Sequence, residues 1–182
     1  MADFNEALAL TKNNEGGYSN NPSDSGGETY KGISRNNWPH WNGWLQIDHI
    51  KSTYGTDAHT INQYGAQDPV LQNDVDVFYK ANFWDVNNLD KFNDQQIANS
   101  VYDFGVNSGT GRAARVLQGV LGVTQDGQIG SGTLSSLNSK DPETVYNAFN
   151  AQRKELYEAW AQKPGQSQFL HSWLSRLTPY QA

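Results

Sequence analysis

A chain of 182 residues with 36% hydrophobic and 18% charged side chains is long enough for one ordinary domain, or for a catalytic unit sharing its core with a small second lobe. That composition excludes a membrane protein and a highly charged disordered chain. The formal charge of −6, with no run of Lys or Arg, argues against a nucleic-acid partner, and the absence of cysteine rules out disulfides, a thiolate nucleophile and Cys-based metal sites.

The elements follow in chain order. Phe4, Ala7, Leu8 and Leu10 keep helical spacing after Asp3, an N-cap residue with Glu6 placed for a capping box, so a first helix is predicted to end near Glu15, before Gly16 and Gly17. Residues 17–33 are rich in Gly, Asn, Ser and Pro and read as turns with at most a short β-hairpin. Ser34 caps a second helical stretch, interrupted by Pro39 and Gly43, whose Trp38, Trp41 and Trp44 would share one face. Residues 57–66 read as loop. Asp68-Pro69 starts a helix carrying Val70, Leu71, Val75, Phe78, Tyr79 and Phe83. Asn93-Asp94 opens the next, with Ile97, Val101, Tyr102 and Phe104, ending near residues 105–109. Further helices are predicted over residues 111–121, 133–137, 142–162 and 166–177. The fold class is therefore mainly α.

The start, Met1-Ala2-Asp3-Phe4-Asn5-Glu6, has neither a basic nor a continuous apolar region, and no apolar run approaches the ~20 residues of a membrane helix. Synthesis in the cytoplasm without a signal peptide is expected, without stable membrane insertion.

Glycosidic bond hydrolysis needs a proton donor at the leaving oxygen and a second group that activates water or stabilises oxocarbenium-like charge. Glu15, between an apolar helix and a glycine turn, is placed for a partly buried carboxyl, and burial raises a carboxyl pKa toward a general acid's range. Asp24 follows in the polar loop, where solvent would keep it ionised, and the Thr29 hydroxyl could orient water or a sugar hydroxyl. The residues alone leave Glu15 open between this role and that of an ordinary helix-terminal carboxylate, and Asp24 between a catalytic partner and a turn former.

Glu15-Gly16-Gly17-Tyr18, followed by Asn20-Asn21-Pro22-Ser23-Asp24-Ser25-Gly26-Gly27-Glu28-Thr29-Tyr30-Lys31-Gly32-Ile33, resembles the N-terminal signature of glycoside hydrolase family 108, N-acetylmuramidases of phages and bacteria that read E-G-G-Y-x-N-D-P-x-D-x-G-G-x-T-x-K-G-I. Asn21 stands where the family usually has Asp, and Glu28 where it usually has a small residue. The resemblance implies a lysozyme-like helical domain with Glu15 catalytic. The Glu, eight residues, Asp spacing is also similar to phage-type lysozymes, which place a Thr shortly afterwards, and this resemblance implies Asp24 and Thr29 as the partners of Glu15; Thr29 departs from that pattern by standing one residue earlier.

The second half resembles the peptidoglycan-binding region that accompanies this family, through Tyr102-Asp103-Phe104-Gly105-Val106-Asn107-Ser108-Gly109, Gly111-Arg112-Ala113-Ala114, Leu117-Gln118 and residues 122–130 with Thr133-Leu134. Asp126-Gly127-Gln128-Ile129-Gly130 reads as a scaffold turn with glycines at positive φ. The expected division is a catalytic region over residues 1–92 and a helical peptidoglycan-binding region over 93–182, packed as one unit. The stretch 38–65 matches least. Tyr18, Tyr30, Lys31, Tyr102, Asp103 and Asn107 are expected to contact substrate, with Asp103 equally open to a cap or a pair with Arg112 or Lys31.

The four histidines lack any close metal-ligand spacing, so no metal and no cofactor is expected. The expected substrate is the β-1,4-linked peptidoglycan strand, itself anionic, so binding would rest on local contacts rather than long-range attraction. Expected with it are a monomer and a holin-type or secretion-machine helper, which would bring an endolysin or other wall-lytic enzyme to the periplasmic or extracellular wall. A lytic transglycosylase using Glu15 alone, and a non-catalytic wall-binding module, are the competing readings.

Overall fold

Residues 1–12 and 16–182 are described by the computed structural model, and they are mainly α as expected, with a small antiparallel sheet. Packing divides them into two compact units, residues 8–82 and residues 1–7 together with 83–182. No helix among the described residues is long and apolar enough to cross a membrane.

Helix α1 spans Phe4–Lys12. Asp3 accepts the Asn5 N–H at 2.8 Å, while its own N–H donates to Gln95 Oε1 at 2.6 Å. The donor that Glu6 was expected to satisfy in a capping box therefore goes to Gln95, 92 positions away in sequence.

In the unit of residues 8–82, the glycine-rich segment forms three strands rather than one hairpin: β1 (Tyr18–Asn20), β2 (Glu28–Tyr30) and β3 (Ile33–Ser34), antiparallel in that order. Tyr18 faces Tyr30 across β1 and β2, and Tyr30 faces Ile33 across β2 and β3. Ser34 thus ends a strand and caps no helix. The predicted second helix begins later, as α2 (Gly43–Thr53). Trp38 and Trp41 precede it in successive turns, because Pro39 lacks a backbone donor and a helix cannot form through it. Of the three rings, Trp41 stands edge-on to Trp44 at 5.2 Å, while Trp38 stands edge-on to Phe78.

The stretch 57–66, expected as loop, is helix α3 (Ala58–Ala66). Asp57 caps it, accepting the Thr60 N–H at 3.0 Å and the Thr60 hydroxyl at 2.9 Å, and only Ile61 and Gly65 are buried. Gly65 is needed for close approach, since a methyl there would sit 3.0 Å from the Tyr30 hydroxyl oxygen. Helix α4 (Pro69–Tyr79) starts as predicted under Asp68, which accepts from the N–H groups of Val70 and Leu71. It buries Leu71, Val75, Phe78 and Tyr79 but leaves Val70 exposed.

Lys80–Trp84 forms a π turn, followed in the other unit by 3-10 turns Asp85–Asn87 and Leu89–Lys91, none of them foreseen. Helices α5 (Gln95–Ser108), α6 (Thr110–Leu121), α7 (Ser131–Asn138) and α8 (Pro142–Ala161) follow close to their predicted limits. Asp94 and Asp141 cap α5 and α8. The last predicted helix is a 3-10 turn (Ser167–Phe169) and then α9 (Leu170–Ser175). Phe4, Trp84 and Tyr102 meet edge to face in its core, 5.6–5.9 Å apart. Buried Gln118 organises the 126–130 turn: its amide donates to Asp126 Oδ1 and the Gln128 carbonyl, and its oxygen accepts the Gly127 N–H. Gly127 has the expected positive φ of 78°, whereas Gly130 sits at −101° and serves as the N-cap of α7.

Candidate active site

Glu15, the expected general acid, lies outside the described residues. The residues that follow it build a polar turn on the sheet. Asn21 Oδ1 accepts from the N–H and hydroxyl of Ser23, an arrangement that lets Asn stabilise its own turn. The Asp24 N–H donates to the Asn21 carbonyl, and the Gly27 N–H to the Asp24 carbonyl, each at 3.0 Å. Gly27 takes φ of 63°, and a methyl there would meet Asn36 Nδ2 at 2.7 Å. Asp24 is exposed, and its carboxylate makes no hydrogen bond or ion pair among the described residues.

The turn is clamped from below. Ser34 Oγ donates to the Gly26 carbonyl at 2.7 Å, Asn36 Nδ2 to the Ser25 carbonyl at 3.2 Å, and Thr29 Oγ1 to the Gly27 carbonyl at 3.2 Å. Gly27 therefore joins Asp24 to Thr29. The Thr29 hydroxyl proton is committed to the backbone, and its lone pairs are left as acceptors.

Under the sheet lies a charge network that spacing did not reveal. Glu28 accepts from Lys51 at 3.1 Å and from Arg35 at 3.4 Å, and Arg35 forks onto Asp48 with two bonds of 2.8 Å. The hydrogen bond from Arg35 holds the Asp48 carboxyl below its usual pKa, with the Arg35 and Lys51 charges adding to it. Burial works to lower the Lys51 pKa, but the Glu28 hydrogen bond and the charges of Glu28, Tyr18 and Asp48 leave it raised. Its sequence signal was Glu28 itself, an acid where the family signature has a small residue.

The sugar contacts expected on the sheet turn inward. Tyr30 is 1% exposed and accepts from Gln72 Nε2 at 3.0 Å, and Tyr18 is 7% exposed. Burial raises both phenol pKa values. Lys31 is half-buried with its ammonium on Gln72 Oε1 at 2.9 Å. Its pKa is lowered by burial and by the Lys12 charge. Both tyrosines are buried within the unit, and Lys31, just after β2, joins it to Gln72 of α4. Asn62, which sequence reasoning missed, accepts the Tyr18 N–H at 2.8 Å.

Tyr102, Asp103 and Asn107 stand on α5 in the other unit. Tyr102 is 1% exposed. Asp103 binds neither Arg112 nor Lys31: it takes Arg153 at 2.7 Å and Arg176 at 2.8 Å, while Arg112 lies over the Trp160 ring at 4.9 Å. Arg153, 1% exposed, also donates to Ser100 Oγ and the Tyr157 hydroxyl. Asn107 is exposed and donates to the Tyr157 hydroxyl at 2.8 Å, which leaves its side-chain oxygen as an acceptor. Among the described residues no group of three His, Asp or Glu is placed to hold a metal ion.

Residues 8–109 match the family described as glycosyl hydrolase 108, and residues 112–178 match a predicted peptidoglycan domain. No curated protein matches the chain. Among solved structures it is similar to SagA of Brucella abortus, with 25% sequence identity and a TM-score of 0.67 over 96% of this chain and 88% of that one. The chain belongs to glycosyl hydrolase family 108, followed by a predicted peptidoglycan domain, and is a glycoside hydrolase acting on peptidoglycan.

Proposed function

We propose that the chain is an N-acetylmuramidase that cleaves the β-1,4 bond between N-acetylmuramic acid and N-acetylglucosamine, with Glu15 as its general acid. The observation that carries this reading is the register of Glu15-Gly16-Gly17-Tyr18 with the family signature, inside the matched residues 8–109. Glu15 protonates the leaving oxygen. Asp24, solvent-exposed on a turn clamped by Ser34 and Asn36, supplies the second carboxylate that positions water or balances developing positive charge. Thr29, held to the same turn through Gly27, offers its lone pairs to the water or to a sugar hydroxyl.

The same reading places the enzyme in wall lysis, as a phage endolysin or a bacterial lytic enzyme acting as a monomer and delivered by a holin-type lesion or a secretion machine. Its support is the resemblance to enzymes of phages and bacteria. Mass spectrometry of the fragments released from purified sacculi tests the chemistry. A muramidase leaves reducing N-acetylmuramic acid ends. Anhydro ends would overturn the hydrolytic mechanism in favour of transglycosylation, and no soluble fragments would overturn catalysis.

A further inference from the structure

Beside the Asp24 turn, Asn37, Trp38, Pro39, His40, Trp41 and Phe78 line an open groove of about 320 Å³, at the lower end of ligand-pocket volumes. Trp38, Pro39, His40 and Trp41 lie in the stretch that resembles the family signature least, and the expected chemistry of Glu15, Asp24 and Thr29 uses none of the groove.

The groove is built rigidly. The Trp38 N–H donates to the Ser34 carbonyl at 2.8 Å, and the Trp38 carbonyl accepts the Trp44 indole N–H at 2.8 Å. The Trp38 ring stands edge-on to Phe78 at 4.9 Å and is 40% exposed. The Trp41 indole donates to the Asp74 carbonyl at 3.2 Å, which fixes that ring's orientation. Held this way, the aromatic faces lose little freedom on binding.

Three polar groups on the groove are left unused. The Trp38 indole N–H, the Asn37 amide and the His40 imidazole make no hydrogen bond among the described residues. No carboxylate lines the groove, and in a chain of charge −6 the sequence from Thr29 to Ile47 holds no Asp or Glu. A flat apolar face edged by neutral donors and acceptors suits a pyranose, which presents a C–H face for stacking and an acetamido and hydroxyl edge for hydrogen bonds. The missing carboxylates spare an anionic strand the repulsion it meets elsewhere on this chain.

The position fits the same strand. Asn36 bonds to Ser25 of the Asp24 turn, and Trp38 follows two positions later, at most about 7 Å along the chain.

We infer that the Trp38–Trp41 groove is a glycan subsite that stacks one N-acetylhexosamine ring of the peptidoglycan strand beyond the sugars flanking the cleaved bond. The inference rests on the reading of the Asp24 turn as part of the active site.

Titration of the full chain, labelled at its indole nitrogens, with chitohexaose tests binding directly. Addition of the sugar should move the Trp38 indole resonance, and Trp38→Ala should weaken binding about tenfold. On glycan strands stripped of stem peptides the same variant should raise KM by a similar factor with kcat retained. If Trp38→Ala misfolds, Asn37→Ala and His40→Ala, at exposed side chains, carry the same comparison. A Trp38 resonance stationary up to the solubility limit of the sugar, or an unchanged KM in a folded variant, overturns the subsite. Failure of the wild-type chain to cleave sacculi would instead overturn the muramidase reading, and the Trp38 resonance reports the subsite independently of it.

Discussion

Asn62 accepts the Tyr18 N–H at 2.8 Å, and its carboxamide fills the space that a methyl on Gly17 would enter. The second glycine of Glu15-Gly16-Gly17-Tyr18 thus lies in close approach to a side chain, the tip of Asn62. Gly16 differs, with no atom of the described residues within 4 Å of an added methyl.

The two glycines therefore predict opposite outcomes. Gly17→Ala pushes away the tip of Asn62, a flexible side chain, so the main loss is its hydrogen bond to Tyr18, about 1 kcal/mol. Activity falls as well, because Tyr18 follows three positions after the proposed acid. Gly16→Ala stays near wild type in both. Chemical denaturation and turbidity loss of sacculi check the pair, and equal effects would contradict the close-approach argument.

Asp103 predicts a loss of stability without loss of binding. Asp103→Ala leaves the buried Arg153 guanidinium without its carboxylate, a cost of about 3 kcal/mol or more, roughly 6–12 °C in Tm. Binding of the folded variant to sacculi at low temperature should match wild type. Weakened binding with an unchanged Tm would return Asp103 to the substrate-contact role first expected of it.

Acid should destabilise the fold through named carboxylates. Asp48 is held below its ordinary pKa first by the Arg35 hydrogen bond, and Asp57, Asp126 and Asp141 first by hydrogen bonds at a helix start or turn. The unfolded chain then binds protons more readily than the folded one, so their contribution is present above the ordinary carboxyl pKa of about 4 and is lost as pH falls through the lower folded values. Thermal melts should show stability declining below about pH 4, with a shallower decline in Asp48→Asn. An unchanged slope would remove Asp48 from the account.

What could be read from the sequence follows from how local each signal is. Asp68, Asp94 and Asp141 announce helices because a capping carboxylate reaches only two or three residues along the chain. Asp57 carries the same signal, but α3 buries only Ile61 and Gly65, too thin a stripe to show periodicity. The tryptophan spacing foretold the Trp41–Trp44 ring pair but not the packing of Trp38 on Phe78, and it wrongly foretold a helix, since successive turns through Pro39 also repeat every three residues. Long-range partners left no trace: Tyr18 and Asn62 lie 44 positions apart and Asp103 and Arg176 lie 73 apart. Tyr30 and Tyr102 were expected as sugar contacts from residue type, and their burial, at 1% exposure each, left no local trace in the sequence.

The central claim is that Glu15 delivers the proton. Turbidity loss of purified sacculi by Glu15→Gln, with its circular dichroism spectrum matched to wild type, tests this most directly. The account predicts a fall of at least about a hundredfold, the lower range of general-acid contributions, with binding to sacculi retained. Cleavage by the folded variant at a rate near wild type would contradict it.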